Sequence, residues 1–321
     1  MGAKFRRAHV DLPEAAAPTS TTSASGGTSI VTAGAEGTLL TAMEKPLAET
    51  GFLDVPGARL YYEVEGAGHP LLLLHAGIAN LRMWDLHMPA LAERHRVIRY
   101  DMRGFGRSEN EDVPFSNRAD LAAVLDHLEA ESAYVCGASR GGVIALDFTL
   151  EQPDRVDALI FVAGGISGYE TPGTPESAAF WEEAERVEEE HDWDRLSDME
   201  TAYWVEGPGQ RPGRVDAAVR DRVHDWILTG YRAEKPNGTP QPLAPPAAGR
   251  LSEVTVPTLV LTGDLDDAQT QASCRHLADS VSGARLEVFE GAAHMLNLEQ
   301  PERFERVVVD FLAEVEAATV V

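Results

Sequence analysis

The chain has 321 residues, 44% of them hydrophobic and 25% charged, which suits one large soluble domain with an insertion or tail better than several independent domains. A formal net charge of -25 argues against a nucleic acid or an anionic membrane surface as partner, since either would need a basic face. The two cysteines, Cys136 and Cys274, have no metal-ligand spacing around them; they argue against a disulfide framework and for a reducing, cytoplasmic setting.

In chain order, the basic start Lys4 to Arg7 is followed by Asp11, Pro13 and Glu14 instead of the apolar core of a secretory signal. Residues Ala15 to Gly37 are rich in Ala, Thr, Ser, Gly and Pro and cannot repay their ordering entropy, so 1–48 is expected to be a disordered tail. Gly51 to Val55 and Arg59 to Val64 predict an edge hairpin, and the wholly apolar Pro70 to Leu74 a buried strand. Met83 to Arg94 has a helical pattern, Arg96 to Tyr100 reads as a strand, and Asn117 to Ala130 as an amphipathic helix. A strand through Tyr134 and Cys136 leads to a helix from Val143 to Gln152, stopped by Pro153, and then to a strand from Ala158 to Ala163. Strand and helix alternation breaks at Gly164-Gly165 and resumes at Pro257 to Thr262. It continues with a helix at Gln269 to Val281, a strand at Arg285 to Phe289 and a last helix at Pro301 to Ala313. This order predicts an α/β fold, a mostly parallel sheet with helices on both faces and a helical insertion. No run reaches transmembrane length and no repeat is evident.

Gly137-Ala138-Ser139-Arg140-Gly141 sits between a predicted strand and a predicted helix, the setting of a nucleophile elbow. The glycines suit a turn in which backbone meets backbone, and the serine would stand at its tip near the positive end of the helix. A chance glycine-rich turn is the plain alternative in a chain with 28 glycines. Two later strands end in loops bearing the partners such a serine needs: Gly263-Asp264-Leu265-Asp266-Asp267 offers an acid, and Gly291-Ala292-Ala293-His294 a base. Both lie at carboxyl ends of strands, where sites collect in a parallel sheet. Read singly, His294 is an ordinary loop histidine and the spare aspartates are solvated or cap a helix, with Asp267 placed to cap the next one.

From about Thr50 onward these pieces resemble the α/β-hydrolase fold superfamily. The matching motifs are Leu71 to Gly77 for the oxyanion loop, Tyr100 to Ser108 for the turn after strand four, the elbow, Gly263 to Asp266, and Gly291 to Pro301. Met83-Trp84-Asp85 leading to Arg99-Tyr100-Asp101 is similar to 3-oxoadipate enol-lactonase-like members. The resemblance implies a core at 49–164 and 248–321, a helical cap at 165–247 inserted after strand six, and a triad of Ser139, Asp266 and His294. Asp266 is preferred because it keeps the superfamily frame of Gly, two residues, then Asp. The backbone N–H groups of Gly77 and Arg140 are implied as the oxyanion hole. His75, Asp101, Arg103 and Arg107 are expected to be structural.

Arg140 departs from the apolar or amide residue common after the serine. It is expected either to hold a substrate carboxylate or to pair with a protein carboxylate. The tryptophans of the insertion, with Tyr203 and Phe180, are expected to form an apolar lid, with Trp181 and Trp204 touching substrate; the alternative, for at least half of them, is that they glue the cap helices to the core. The run Glu182 to Glu190 reads as a solvated helix face. The implied activity is that of a cofactor-independent serine esterase or lactonase acting on a small molecule, with a small carboxylate-bearing lactone as its specific form; a homodimer is left open. A carbon-carbon bond hydrolase using the same triad, or a catalytically silent ligand-binding protein, are the competing expectations.

Overall fold

In the computed structural model, which describes residues 49–319 apart from Glu234 and Asn237, the apolar runs of the sequence become strands of one sheet. The tail expected at 1–48 lies outside the described residues. The strands are β1 (Glu49–Val55), β2 (Ala58–Glu65), β3 (Pro70–Leu74), β4 (Arg96–Tyr100), β5 (Ala133–Ala138), β6 (Val156–Val162), β7 (Thr258–Gly263) and β8 (Arg285–Phe289). They lie in the order β1-β2-β4-β3-β5-β6-β7-β8. β1 and β2 form the expected antiparallel hairpin and β2 runs antiparallel to β4; the remaining neighbours are parallel. Parallel neighbours need crossovers, and helices α1 (Asn117–His127), α2 (Arg140–Glu151), α6 (Ala268–Ser280) and α7 (Pro301–Thr319) provide helical cover on the two faces.

The composition of β3 follows from that double cover. Leu72 and Leu74 pack with Ile98 and Val135 on the face of Leu121, Ala145 and Leu277, while Leu71 and Leu73 pack with Val97 and Cys136 on the face of Phe304 and Val308. All four leucines are buried, each contributing about 1.5–3 kcal/mol relative to exposure, so no polar residue interrupts the run. Cys136 and Cys274 are free and buried, as small apolar groups, with burial pushing both thiols up in pKa.

One expected helix is absent. Met83 to Arg94 is split into a 3-10 turn, Leu81–Trp84, and a single helical turn, Met88–Leu91. Pro89 has no N–H to give an upstream carbonyl, and Asn80 caps the first turn by accepting from the Arg82 N–H, so the two pieces start independently. Arg99, buried beneath them, donates to the Leu81 carbonyl at 3.2 Å and to Asp85 at 2.7 Å, and pairs with Glu63. The elbow helix, by contrast, starts earlier than its apolar pattern suggested, at Arg140 instead of Val143.

Between β6 and β7 the chain makes α3 (Pro175–Glu189), α4 (Trp193–Thr201) and α5 (Ala217–Arg232). Thr174, Asp192 and Asp216 cap them, each accepting a backbone N–H of the first turn. Ala184, Val187 and Leu196 form their own small core with Phe180, Trp181 and Trp193, and the Trp193 ring stacks on Tyr231 at 5.3 Å. The expected solvated face of α3 holds for Glu182, Glu185 and Glu189, but Glu188 turns toward a cavity. The exit of this segment is fastened to the loop after β4. Thr239–Pro240 pairs with Pro114–Phe115, and Lys235 Nζ donates to the carbonyls of Phe105, Gly106 and Ser108.

Glu200 on α4 is 3% exposed. Burial raises its pKa from the usual 4.5 to about 7; a hydrogen bond with Tyr231 opposes the shift and the Glu188 carboxylate adds to it. A carboxyl whose folded pKa is raised gives full stability below its unfolded pKa and loses it as pH rises through the folded pKa. Glu200→Gln is therefore expected to leave stability nearly unchanged at pH 4. At pH 8 it is expected to raise stability by up to about 3 kcal/mol, read as the difference between variant and wild-type denaturation curves.

Candidate active site

Three loops at the carboxyl ends of β5, β7 and β8 bring together the residues singled out in the sequence. After β5 the chain reverses through Ser139, at φ 53° and ψ -114°, and enters α2 at the next residue. That conformation costs on the order of 1–3 kcal/mol for a non-glycine residue and is held by close packing of backbone on backbone. A Cβ on Gly137 would lie 2.1 Å from the Gly141 carbonyl oxygen, and one on Gly141 would lie 2.5 Å from that of Leu74. The Ser139 N–H is fixed on the Val162 carbonyl at the end of β6, at 2.8 Å.

The acid and base loops meet in a short contact. His294 Nδ1 lies 3.0 and 2.9 Å from the two carboxylate oxygens of Asp266, and both residues are buried. With Nδ1 donating to the carboxylate, Nε2 is left as the basic nitrogen. Asp266 Oδ1 also accepts the Asp267 N–H at 2.7 Å, which aims the carboxylate. The neighbouring aspartates have other partners. Asp264 accepts the Gly291 N–H at 2.7 Å, and Asp267 caps α6 through the Gln269 N–H at 2.8 Å while accepting from Tyr203.

Ser139 and His294 line the same cavity, of about 840 Å³, together with Gly77 and Arg140. Among the described residues neither the Gly77 N–H nor the Arg140 N–H has an acceptor, whereas the intervening Ala76 N–H is taken up by Met83 Sδ at 3.1 Å. The Arg140 N–H opens α2, so the helix dipole adds positive potential there. His75 is a neutral strut. Its Nδ1 donates to the Ala76 carbonyl at 2.8 Å, its Nε2 accepts the Met102 N–H at 3.0 Å, and burial lowers its pKa. Asp101, Arg103 and Arg107 tie the β4 loop as expected. Asp101 accepts the Leu81 and Arg107 N–H groups, Arg103 grips Asp120 with two bonds, and Arg107 lies over the Tyr61 ring at 3.9 Å.

Arg140 is exposed, on the wall of the cavity. Desolvation by the surrounding wall lowers its pKa, and among the described residues no carboxylate pairs with it. Its guanidinium lies 5.5 Å from the centre of the Phe105 ring, and its Nε lies 3.0 Å from where a Cβ on Gly77 would stand, so a side chain at 77 would displace it.

Trp181 and Trp204 both border the cavity, and Trp204 does more: its ring centroid is 4.4 Å from that of His294. Trp226, one of the insertion tryptophans, also borders the cavity, whereas the sequence reading missed Glu188, Glu200, Tyr231 and Phe105 as cavity residues. Their signal is weak, since charged and aromatic residues on amphipathic helices ordinarily face solvent or a helix neighbour. Among the described residues no group of three or more His, Cys, Asp or Glu side chains is arranged to hold a metal ion, and no helix is long and apolar enough to cross a membrane.

Several known proteins are similar to the chain over most of its length. The chain is 33% identical over 278 residues to 2-hydroxymuconate semialdehyde hydrolase of Pseudomonas sp. (strain CF600), covering 82% of this chain and 94% of the relative. It is 27% identical to 3-oxoadipate enol-lactonase 2 of Acinetobacter baylyi, over 75% of this chain and 88% of that one. Among solved structures it is similar to the enol-lactonase from Burkholderia xenovorans LB400, with a TM-score of 0.64, 25% identity, and coverage of 82% of this chain and 100% of the other. The model of the alpha/beta hydrolase fold matches residues 69–301, a stretch that holds every strand from β3 to β8 and all three loops of the site, and the chain belongs to that family.

Proposed function

We propose that the protein is a serine hydrolase that opens a carboxylic ester or lactone through an acyl-enzyme, and that Arg140 holds a carboxylate of the substrate. The reading rests on one coincidence: a strained elbow serine shares a cavity with a histidine whose Nδ1 is held by a buried carboxylate. In this mechanism Ser139 Oγ attacks the acyl carbon as its proton passes to His294 Nε2, and Asp266 stabilises the imidazolium. The carbonyl oxygen takes up the negative charge between the N–H groups of Gly77 and Arg140, each worth on the order of 3 kcal/mol to the barrier. The C–O bond then breaks, with His294 returning the proton to the leaving oxygen. Water, deprotonated by His294, releases the acid and restores Ser139.

The carboxylate assignment follows from Arg140 being a cation in the cavity with no anionic partner among the described residues. A guanidinium on a cavity wall gains most from an anion that can take two of its N–H groups. The net charge of -25 repels anions at long range, yet salt screens that field over about 8 Å, so the local cation decides inside the cavity. The substrates in the names of the relatives, 2-hydroxymuconate semialdehyde and 3-oxoadipate enol-lactone, are both carboxylates. The first also supports a second reading. It contains no ester, so its hydrolysis breaks a carbon-carbon bond, and the same three side chains would serve such a reaction here.

A panel of esters, lactones and vinylogous diketones separates the two readings. Wild-type protein is expected to be labelled by a fluorophosphonate and to hydrolyse at least one ester or lactone, and Ser139→Ala to lose labelling and at least about 10³-fold in kcat/KM. Full esterase activity in Ser139→Ala would refute the mechanism. Arg140→Gln keeps the backbone N–H. It is expected to lower kcat/KM on an acidic lactone by about 10- to 100-fold, the worth of a charge-assisted hydrogen bond, and to change a neutral lactone by less than about threefold. An equal loss on both would remove the carboxylate role.

A further inference from the structure

The turn that follows α4, Ala202–Glu206, is a π-helix, a rare winding that often marks functional positions. Two consecutive residues on it reach the two loops of the acid-base pair. The Tyr203 hydroxyl donates to Asp267 Oδ2, while Asp267 Oδ1 accepts the Gln269 N–H at 2.8 Å, so the Asp267 carboxylate is pinned on both oxygens. The backbone N–H of the same Asp267 donates to Asp266 Oδ1 at 2.7 Å. Trp204 accepts the His294 backbone N–H on its carbonyl at 3.2 Å and lays its ring against the imidazole at 4.4 Å. The turn is itself wedged in place. Phe180 stacks on Tyr203 at 3.9 Å, and Gly207, at φ 98°, comes so close to the acid loop that a Cβ would lie 2.6 Å from the Leu265 carbonyl oxygen. Downstream, Arg214 bridges the Val205 carbonyl at 2.6 Å and the Gly291 carbonyl of the base loop at 2.7 Å.

We propose that Tyr203 and Trp204 are positioning residues for the Asp266–His294 pair, so that the segment inserted between β6 and β7 sets the geometry of the base as well as bordering the cavity. The proposal rests on the serine hydrolase reading. Asp266 and His294 come from separate loops, and this turn bonds to both, through the Asp267 carboxylate on one side and the His294 backbone on the other. Tyr203 acts on the acid through Asp267; Trp204 acts on the base directly, by a carbonyl that fixes the loop and a ring that limits rotation of the imidazole. The ring face also favours the imidazolium that forms as Ser139 attacks.

Two measurements on the full chain that need no knowledge of the natural substrate test this. One is the NMR resonance of the proton shared by His294 Nδ1 and Asp266 in the resting protein; the other is the rate of fluorophosphonate labelling at Ser139. Tyr203→Phe keeps the ring on Phe180 and removes one hydroxyl. It is expected to shift or broaden the resonance and to slow labelling by about tenfold or more, since small displacements of a catalytic group are costly in rate. Trp204→Leu is expected to do the same, and Trp204→Phe, which keeps an aromatic face on the imidazole, to recover most of the loss. Circular dichroism and Tm establish that each variant is folded. Wild-type resonance and labelling rate in Tyr203→Phe and Trp204→Leu would overturn the proposal. Wild-type protein that shows the resonance but takes no label would overturn the hydrolase reading instead, and the resonance in the variants would still decide whether they position the pair.

Discussion

The contact on which everything else is built is that of backbone with backbone at the end of β5. The chain turns there so tightly that Gly137 faces the carbonyl of Gly141, and Gly141 faces the carbonyl of Leu74 on the neighbouring strand. Those two missing side chains let α2 begin directly after Ser139 and run back against the sheet. Among the described residues the Arg140 N–H is left without an acceptor, on the cavity that Ser139 also lines. The strain at Ser139 is local, but the forces that hold it are not: the flanking strands β3 and β6 supply the carbonyls, and both are buried in the centre of the sheet.

Much of this was legible in the sequence because it depends on short-range rules. Apolar runs such as Pro70–Leu74 mark central strands, the glycines mark the elbow, and a strand end followed by an Asp or His marks the other two loops. Even Asp267 as a helix cap and His75 as a strut followed from local chemistry. What escaped depends on contacts between residues far apart in the chain. Met83 to Arg94 has a helical pattern, yet Pro89 and the buried Arg99 break it into two turns. Glu200 carries no signal in its local pattern and is buried beside Tyr231. Tyr203 reads as a lid or packing aromatic and bonds to the acid loop. Whether Arg140 finds a protein carboxylate was undecidable from residue types, since the nearby glutamates number many and only packing says where each one faces.

The site also shows how a strongly acidic molecule keeps a cation without neutralising it. Several carboxylates of the inserted helices pair with arginines of the same segment, as Glu183 and Glu190 do with Arg186, others face solvent, and Glu200 is buried with a raised pKa. Glu188 and Glu200 line the same cavity as Arg140, yet among the described residues no carboxylate pairs with it, so its charge stays available at the cavity wall.

The inserted segment is fastened at two places to different parts of the sheet edge. Near its middle, Tyr203, Trp204 and Arg214 hold the loops after β7 and β8; at its exit, Lys235 and Thr239–Pro240 hold the loop after β4. A flap hinged along one side swings open by breaking one row of contacts. A span moored at two separate places has to break both sets of contacts to do the same, so its resting position is set by the sheet edge on either side of the cavity.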